Sequence, residues 1–517
     1  MAMTTAEKIK DMKDRKAKIA SGGGEKRIEQ QHAKGKLTAR ERIGNMFDAE
    51  SFQEMYMFTK HRSSASGMAG KETPGEGVVT GVGLIDGREV FVASQDFTVL
   101  GGSVGEMHAD KIAQVLDLAL KVGAPVVVIN DSGGARIQEG VGSLSGYARI
   151  FYRNVQLSGV VPQISIIAGP CAGGAAYSPA LSDFIIMIRG AELFITGPQV
   201  IEQVTGEKIS SEELGGADAQ MAQSGVVQFL AENEEEALNL CKRLLSFLPS
   251  NNMEDPPIVG DGDLVFAPNS VLNSIIPDNR QQPYDVKEVI RQVVDNGDFL
   301  EVQEQFAANA VIGFARVNGQ TIGIVANQPS YMAGVLDINA SDKIAGFVRF
   351  CNSFNIALVT FVDVPGYMPG VQQEHSGIIR HGAKVLFAYS AATVPKITIV
   401  LRKAYGGAYI AMCSKDLGAD RIAAWPTAEI AVMGAEGAVS IIYRNELKAA
   451  ADPVIARQEL IERYNVEFAN PYQAAALNLI DDVIEPKDTR RYLSLALSAL
   501  RTKRELRPQK KHGLIPL

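Results

Sequence analysis

Val126-Val-Val-Ile-Asn130 runs into Asp131-Ser-Gly-Gly134, and 232 positions later Leu358-Val-Thr-Phe-Val362 runs into Asp363-Val-Pro-Gly366. Each is a short apolar, β-branched run closed by an acid and a glycine, the pattern of a buried strand that ends in a turn. The likeness extends both ways along the chain. Ile85-Asp86-Gly87 is echoed by Val317-Asn318-Gly319, each between β-branched runs that read as a hairpin. Asp110-Lys111-Ile112-Ala113 recurs as Asp342-Lys343-Ile344-Ala345, and both open stretches of helical period. These pairs, too, lie 232 apart. Val161-Pro-Gln-Ile-Ser-Ile-Ile167 then matches Val394-Pro-Lys-Ile-Thr-Ile-Val400, and Gly173-Gly174-Ala175 matches Gly406-Gly407-Ala408, now 233 apart. Order and spacing kept over five blocks, with one inserted residue, mark an internal duplication.

Each half therefore has the same plan: hairpin, helix, buried strand, Gly-rich turn, second strand, Gly-Gly turn, helix. Strands alternating with helices imply an α/β chain of stacked βαβ units, with binding groups at strand ends. Composition shifts divide the chain into a charged helical arm over 1–60, a first domain over 61–247, a linker over 248–268 and a second domain over 269–517. The linker is rich in Pro, Asn, Asp and Gly. Ser21-Gly22-Gly23-Gly24 has no strand before it and no Gly-Lys-Ser/Thr after it, so it reads as a helix C-cap and not a phosphate loop.

With 517 residues the chain exceeds one ordinary core. Its 46% hydrophobic and 21% charged residues are those of a globular protein. A net charge of −8 without a long basic block argues against nucleic acid as a partner. The short basic tail from Arg501 to His512 reads as a solvated end or a dock. Four scattered cysteines without a C-x-x-C pair fit a reducing cytoplasm and no structural metal. Met1 to Lys18 is charged and unlike a signal peptide. Asn154 to Ser182 carries no charge, but Pro162, Pro170 and Pro179 break it into a buried strand, a turn and a helix start.

Two turns carry the chemistry: Cys171-Ala172-Gly173-Gly174-Ala175 and Ala404-Tyr405-Gly406-Gly407-Ala408. Each follows a strand and is expected to open a helix. Small residues there let a substrate oxygen approach backbone N–H groups, which is an oxyanion hole made without side chains. Close packing alone explains one such turn; two at equivalent places favour function. Gly101-Gly-Ser-Val-Gly105 fits a nucleophile elbow, with Asp131 or Asp183 and a later His as partners. Its serine has Val335 for a counterpart in the second half. Cys171 has Ala404. His375 and His381, six apart, are out of chelating register on a helix.

The motifs Asp131-Ser-Gly-Gly-Ala-Arg-Ile-Gln-Glu139, Gly169-Pro-Cys-Ala-Gly-Gly174, Val364-Pro-Gly-Tyr-Met-Pro-Gly370, Arg402-Lys-Ala-Tyr-Gly-Gly407 and Glu429-Ile-Ala-Val-Met-Gly434 resemble those of biotin-dependent acyl-CoA carboxyltransferases. The resemblance spans about Ile28 to Gly513 and is nearest the branch acting on propionyl-CoA and methylmalonyl-CoA. It implies a duplicated crotonase-like fold, with the acyl-CoA thioester bound in the first domain and biotin in the second. Gly173, Gly174 and Ala175 would face the thioester oxygen, and Gly406, Gly407 and Ala408 the ureido oxygen of biotin. No side-chain base and no metal are then required. The same resemblance places Ile410 against the acyl chain, where an isoleucine suits a propionyl group. It further implies a homo-hexamer, with biotin carried by a carrier protein or biotin carboxylase subunit. Met12-Lys13-Asp14 is no biotin-attachment motif, and any membrane complex would be reached through a partner. Carboxylase, transcarboxylase and sodium-pumping decarboxylase remain open as net reactions.

Overall fold

The computed structural model describes residues 3–65, 67–260 and 268–517; of the stretch read as a linker, 261–267 lie outside the described residues. The chain divides into two compact units, Met1–Glu254 and Asp255–Leu517.

In the first unit Val78–Ile85 and Arg88–Gln95 form a hairpin that turns on Asp86 and Gly87, with φ of 50° and 75°. Two successive left-handed residues give the turn whose twist matches that of the strands, which is why Asp-Gly serves there. Arg88–Gln95 pairs in parallel with Val126–Ser132, that strand with Gln163–Ala172, and the latter with Phe184–Ile188. The crossovers are the helices Glu106–Val122 and Val141–Leu157. They bury Ile112, Val115, Leu116, Tyr147 and Ile150 in one apolar cluster with Phe91, Val126 and Val128 of the sheet. Burial on both faces explains the unbroken apolar strands.

The second unit repeats this. Ala310–Val317 and Gln320–Asn327 turn on Asn318 and Gly319, with φ of 52° and 74°. Gln320–Asn327, Ala357–Val364, Lys396–Tyr405 and Arg421–Ala424 follow in parallel. Single bridges Val104–Ala135 and Leu336–Tyr367 keep the spacing of 232, whereas Gln163–Ala172 and Lys396–Tyr405 are 233 apart. The inserted residue thus falls in the helical crossover. One helix there, Val141–Leu157, becomes two, Val371–His375 and Ile378–Ala391, around Gly377 at φ 91°.

Helices Thr5–Ala20, Glu25–His32 and Ala39–Met46 precede the first sheet. Thr4 with Glu7 and Thr38 with Glu41 form capping boxes at two of their starts. The Ser21–Gly24 run is a helix end: Ser21 N–H donates to Ala17 O, and Gly22 and Gly24 have φ of 51° and 89°. Among the described residues no helix is long and apolar enough to cross a membrane.

Candidate functional site

Both Gly-Gly turns end strands that bend at the same point. Asn130 pairs with Ile167 and Ser132 with Cys171, so Asp131 alone stands opposite three residues, Ala168 to Pro170. Val362 pairs with Val400 and Val364 with Ala404, which leaves Asp363 opposite Leu401 to Lys403. Such a bulge re-aims the strand beyond it. Past the bend each strand takes a new partner, Glu192–Phe194 in the first unit and Glu429–Ala431 in the second.

Gly173 and Gly406 begin the turns at φ 62° and 58°, a conformation that favours glycine. The helical segments after them are shorter than the spacing suggests: a 3-10 turn Gly173–Ala176 before Tyr177–Ala180, and a six-residue helix Gly406–Ala411. Stubs of this length carry little macrodipole. Their first N–H groups still lack intrahelical acceptors and are the chemically useful feature. A Cβ on Gly407 would meet nothing within 4 Å, whereas one on Gly174 would lie 3.6 Å from the Tyr147 ring. The methyls of Ala175 and Ala408 are buried. Ile410 is 47% exposed, and its repeat counterpart Tyr177 is 50% exposed, so neither is packed into the core of its unit.

Each bulge aspartate is buried and neutralised, by different means. Asp131 accepts from Lys36 Nζ at 2.8 Å, Arg42 Nη2 at 2.9 Å and Gln31 Nε2 at 3.1 Å. Arg42 also holds Glu234, at 2.7 and 2.9 Å. Asp363 accepts from Arg402 Nε at 3.0 Å and Lys403 N–H at 3.1 Å. Burial pushes the Asp363 carboxyl up against the pull of Arg402. Arg402 has Gly169 for its counterpart, where a Cβ would come within 2.0 Å of Asp131 Oδ1. The first unit therefore takes its countercharge from the N-terminal arm, Arg42 in the helix Ala39–Met46 and Lys36 in the loop before it. The sequence holds one trace of this, the Gly169/Arg402 difference in otherwise matching motifs.

Residues 30–515 match the carboxyl transferase domain. The chain belongs to the carboxyl transferase family. It is 57% identical to the methylmalonyl-CoA decarboxylase subunit alpha of Propionigenium modestum, with 99% of each chain covered. It is 56% identical to the propionyl-CoA carboxylase carboxyltransferase subunit of Haloferax mediterranei, with 100% of each covered. Among solved structures it superposes on transcarboxylase 12S, which holds methylmalonyl-coenzyme A and methylmalonic acid, with a TM-score of 0.98 at 57% identity over 100% of this chain and 99% of that one. The two sheets are those of the crotonase-like fold.

In this carboxyl transferase chain the rival nucleophiles are occupied or inert. Ser103 Oγ donates to Leu100 O at 2.8 Å, and Asp131 and Asp183 are engaged elsewhere, Asp183 by Gln163 N–H at 2.8 Å. The 3-10 turns Leu100–Gly102 and Met332–Gly334 are equivalent, and Val335 follows the second as Ser103 follows the first. The supposed elbow is thus a structural turn of the fold. Cys171 is fully buried, which pushes its thiol up to about 12 and keeps it protonated. His381 Nδ1 lies 2.8 Å from Asp342 Oδ2. Among the described residues no group of His, Cys, Asp and Glu is arranged to hold a metal.

Proposed function

We propose that this chain is the carboxyltransferase subunit of a biotin-dependent enzyme, moving a carboxyl group between biotin and propionyl-CoA, with methylmalonyl-CoA as the carboxylated thioester. The observation that carries this reading is the pair of Gly-Gly turns at equivalent strand ends of two repeated units. Carboxyl transfer puts negative charge on two oxygens, that of the thioester as its α-carbon becomes an enolate and that of the ureido group. Two equivalent sets of backbone donors suit two such oxygens.

Gly173, Gly174 and Ala175 are assigned to the thioester oxygen, in the first domain. Gly406, Gly407 and Ala408 are assigned to the ureido oxygen, in the second. The open side of Gly407 leaves room for a heterocycle to come against the backbone, so the residues present fit the group. Biotin, when bound, supplies the nitrogen that carries the carboxyl group and, relieved of it, is basic enough to take the α-proton. The chain's own work is then to hold both oxygens and to bring the acyl chain against Ile410. Buried acids at the two bulges are paired with cations and take no part in proton transfer.

Biotin would arrive on a carrier protein or biotin carboxylase subunit, and the chain would assemble as a homo-hexamer in the cytoplasm, where four free, buried cysteines stay reduced. Relatives named for decarboxylation and carboxylation are 57% and 56% identical to the chain. The transfer step common to them is the proposed activity, and its net direction belongs to the companions. The purified chain, given carboxyl-labelled methylmalonyl-CoA and free biotin, should pass label to biotin and release propionyl-CoA in equal amount. No transfer to free biotin or to a biotinylated carrier would refute the assignment.

A further inference from the structure

The two Gly-Gly turns are held in different ways. In the first, the Tyr147 ring stands 3.6 Å from where a side chain on Gly174 would begin and backs the turn directly. In the second, nothing stands within 4 Å of the equivalent point on Gly407. Gly406, at φ 58°, has the conformational freedom of its residue type. A turn so placed needs an anchor elsewhere if its N–H groups are to point one way.

The residue before the turn provides one. Tyr405 ends the Lys396–Tyr405 strand and is the N-cap of Gly406–Ala411, but its side chain makes no capping bond. Its hydroxyl instead donates to Glu429 Oε2, from the short strand alongside. Glu429 is buried, and its other oxygen lies 3.1 Å from Arg280 Nε. Gly434 fits under the Tyr405 ring, where a Cβ would come within 3.2 Å of it. In the first unit the residue at the place of Tyr405 is Ala172, so the anchor belongs to the second unit alone.

We propose that Tyr405, fixed by Glu429 and Arg280, is a positioning residue that holds the Gly406–Gly407 N–H groups toward the ureido oxygen. The functional part rests on the carboxyltransferase reading; the mechanical part does not.

Tyr405→Phe keeps the ring and removes the bond. In the full chain, kcat for transfer from methylmalonyl-CoA to free biotin should fall on the order of 10- to 100-fold, the scale of a small misplacement at a reacting group. KM for methylmalonyl-CoA should change much less than kcat, because the thioester oxygen is assigned to the other turn and, of this helix, only Ile410 to the acyl chain. Glu429→Leu should reproduce the loss, and Glu429→Gln, which keeps an acceptor oxygen, should recover most of it. Hydrogen exchange followed by mass spectrometry should quicken over 400–412 and not over 168–180. Unchanged kcat in Tyr405→Phe, or exchange that quickens equally at both turns, would overturn the proposal. If the wild-type chain moves no carboxyl group, the carboxyltransferase reading fails, and the exchange result still decides whether Tyr405 holds the turn.

Discussion

Lys111 and Lys343 occupy the same place in the two units and end on the same carbonyls. Lys111 Nζ donates to Gly75 O at 2.7 Å and Val78 O at 2.5 Å; Lys343 Nζ donates to Ala307 O at 3.4 Å and Ala310 O at 2.8 Å. Lys343 adds Gln303 O at 2.9 Å and Phe306 O at 2.7 Å. Both groups are buried, which pulls them down to about 8.

Lys343 holds four carbonyls where Lys111 holds two, so its removal orphans more acceptors. Lys343→Met should therefore cost roughly 3 kcal/mol or more, at ~1–3 kcal/mol for each orphaned carbonyl. Thermal melting of the two proteins compares them. For Lys111 the pH effect has a definite sign. Between about 8 and the ordinary lysine value of ~10.4 the folded chain binds fewer protons at this site, so stability contributed there rises with pH. The gap in melting temperature between wild type and Lys111→Met should widen from pH 7.5 to pH 10; a constant gap would contradict the reading.

Asp183 and Asp420 play one role under different conditions. Each accepts the N–H that opens the preceding, neighbouring strand, from Gln163 and Lys396, both at 2.8 Å. Asp420 also faces Lys503 Nζ at 2.8 Å, whereas burial pushes the Asp183 carboxyl up to about 7. Between the unfolded value of ~3.9 and about 7 the folded chain holds the extra proton, so this site's contribution falls as pH rises through that window. Asp183→Asn should remove that slope and raise the melting temperature at pH 8, with little effect at pH 4.5. Denaturation curves at the two pH values test it.

Backbone donors require an open approach. Gly407→Ala puts a methyl into free space and Gly174→Ala puts one in ordinary contact with Tyr147, so both variants should fold. Alanine should stabilise each by up to ~1 kcal/mol, while kcat falls on the order of 10²-fold because the methyl crowds the oxygen. Ala408→Pro deletes a donor and should cost on the order of 10² to 10³ in kcat. Ser103→Ala loses only a bond to Leu100 O and should keep near-normal turnover. Steady-state kinetics beside calorimetry would expose the opposite pattern.

Ile410 is exposed two residues past the second Gly-Gly-Ala turn, which suits a residue that meets substrate. Ile410→Asp should shift kcat/KM among acetyl-, propionyl- and butyryl-CoA while leaving the fold intact. One methylene is worth only ~1–3 kcal/mol in an apolar pocket, so preferences should be graded. Equal losses on all three thioesters would show that Ile410 does not meet the acyl chain.

The duplication was legible because hairpin turns, buried strands and Gly-Gly turns have local signatures that repeat at fixed spacing. Asp86-Gly87 and Asn318-Gly319 announce their hairpins through residues that tolerate φ near +50° to +75°. Less legible were partnerships between distant segments. Nothing local to Asp131 points to Arg42, and nothing local to Glu429 points to Tyr405, because such pairs form only when strands and helices come together. The stubs after the Gly-Gly turns also fell short of the expected helices: Cys413, two residues past Gly406–Ala411, has φ 63°, and Pro179 sits within the four-residue Tyr177–Ala180 segment. A glycine followed by small residues marks where a helical turn starts better than how far it runs.

The different sources of countercharge for Asp131 and Asp363 bear on the order in which the chain can fold. Asp363 finds Arg402 only 39 positions on, in the neighbouring strand of its own sheet, so that acid can be neutralised as soon as the two strands align. Asp131 must wait for Arg42 to return across 89 positions of chain. Loop closure over the longer span costs more entropy and comes later. The N-terminal helices precede the first sheet in the chain, yet Arg42 meets Asp131 only where the strand that carries Asp131 is in place. A protease that trimmed them would strand a buried carboxylate in one half of the duplicated chain and leave its counterpart in the other half paired.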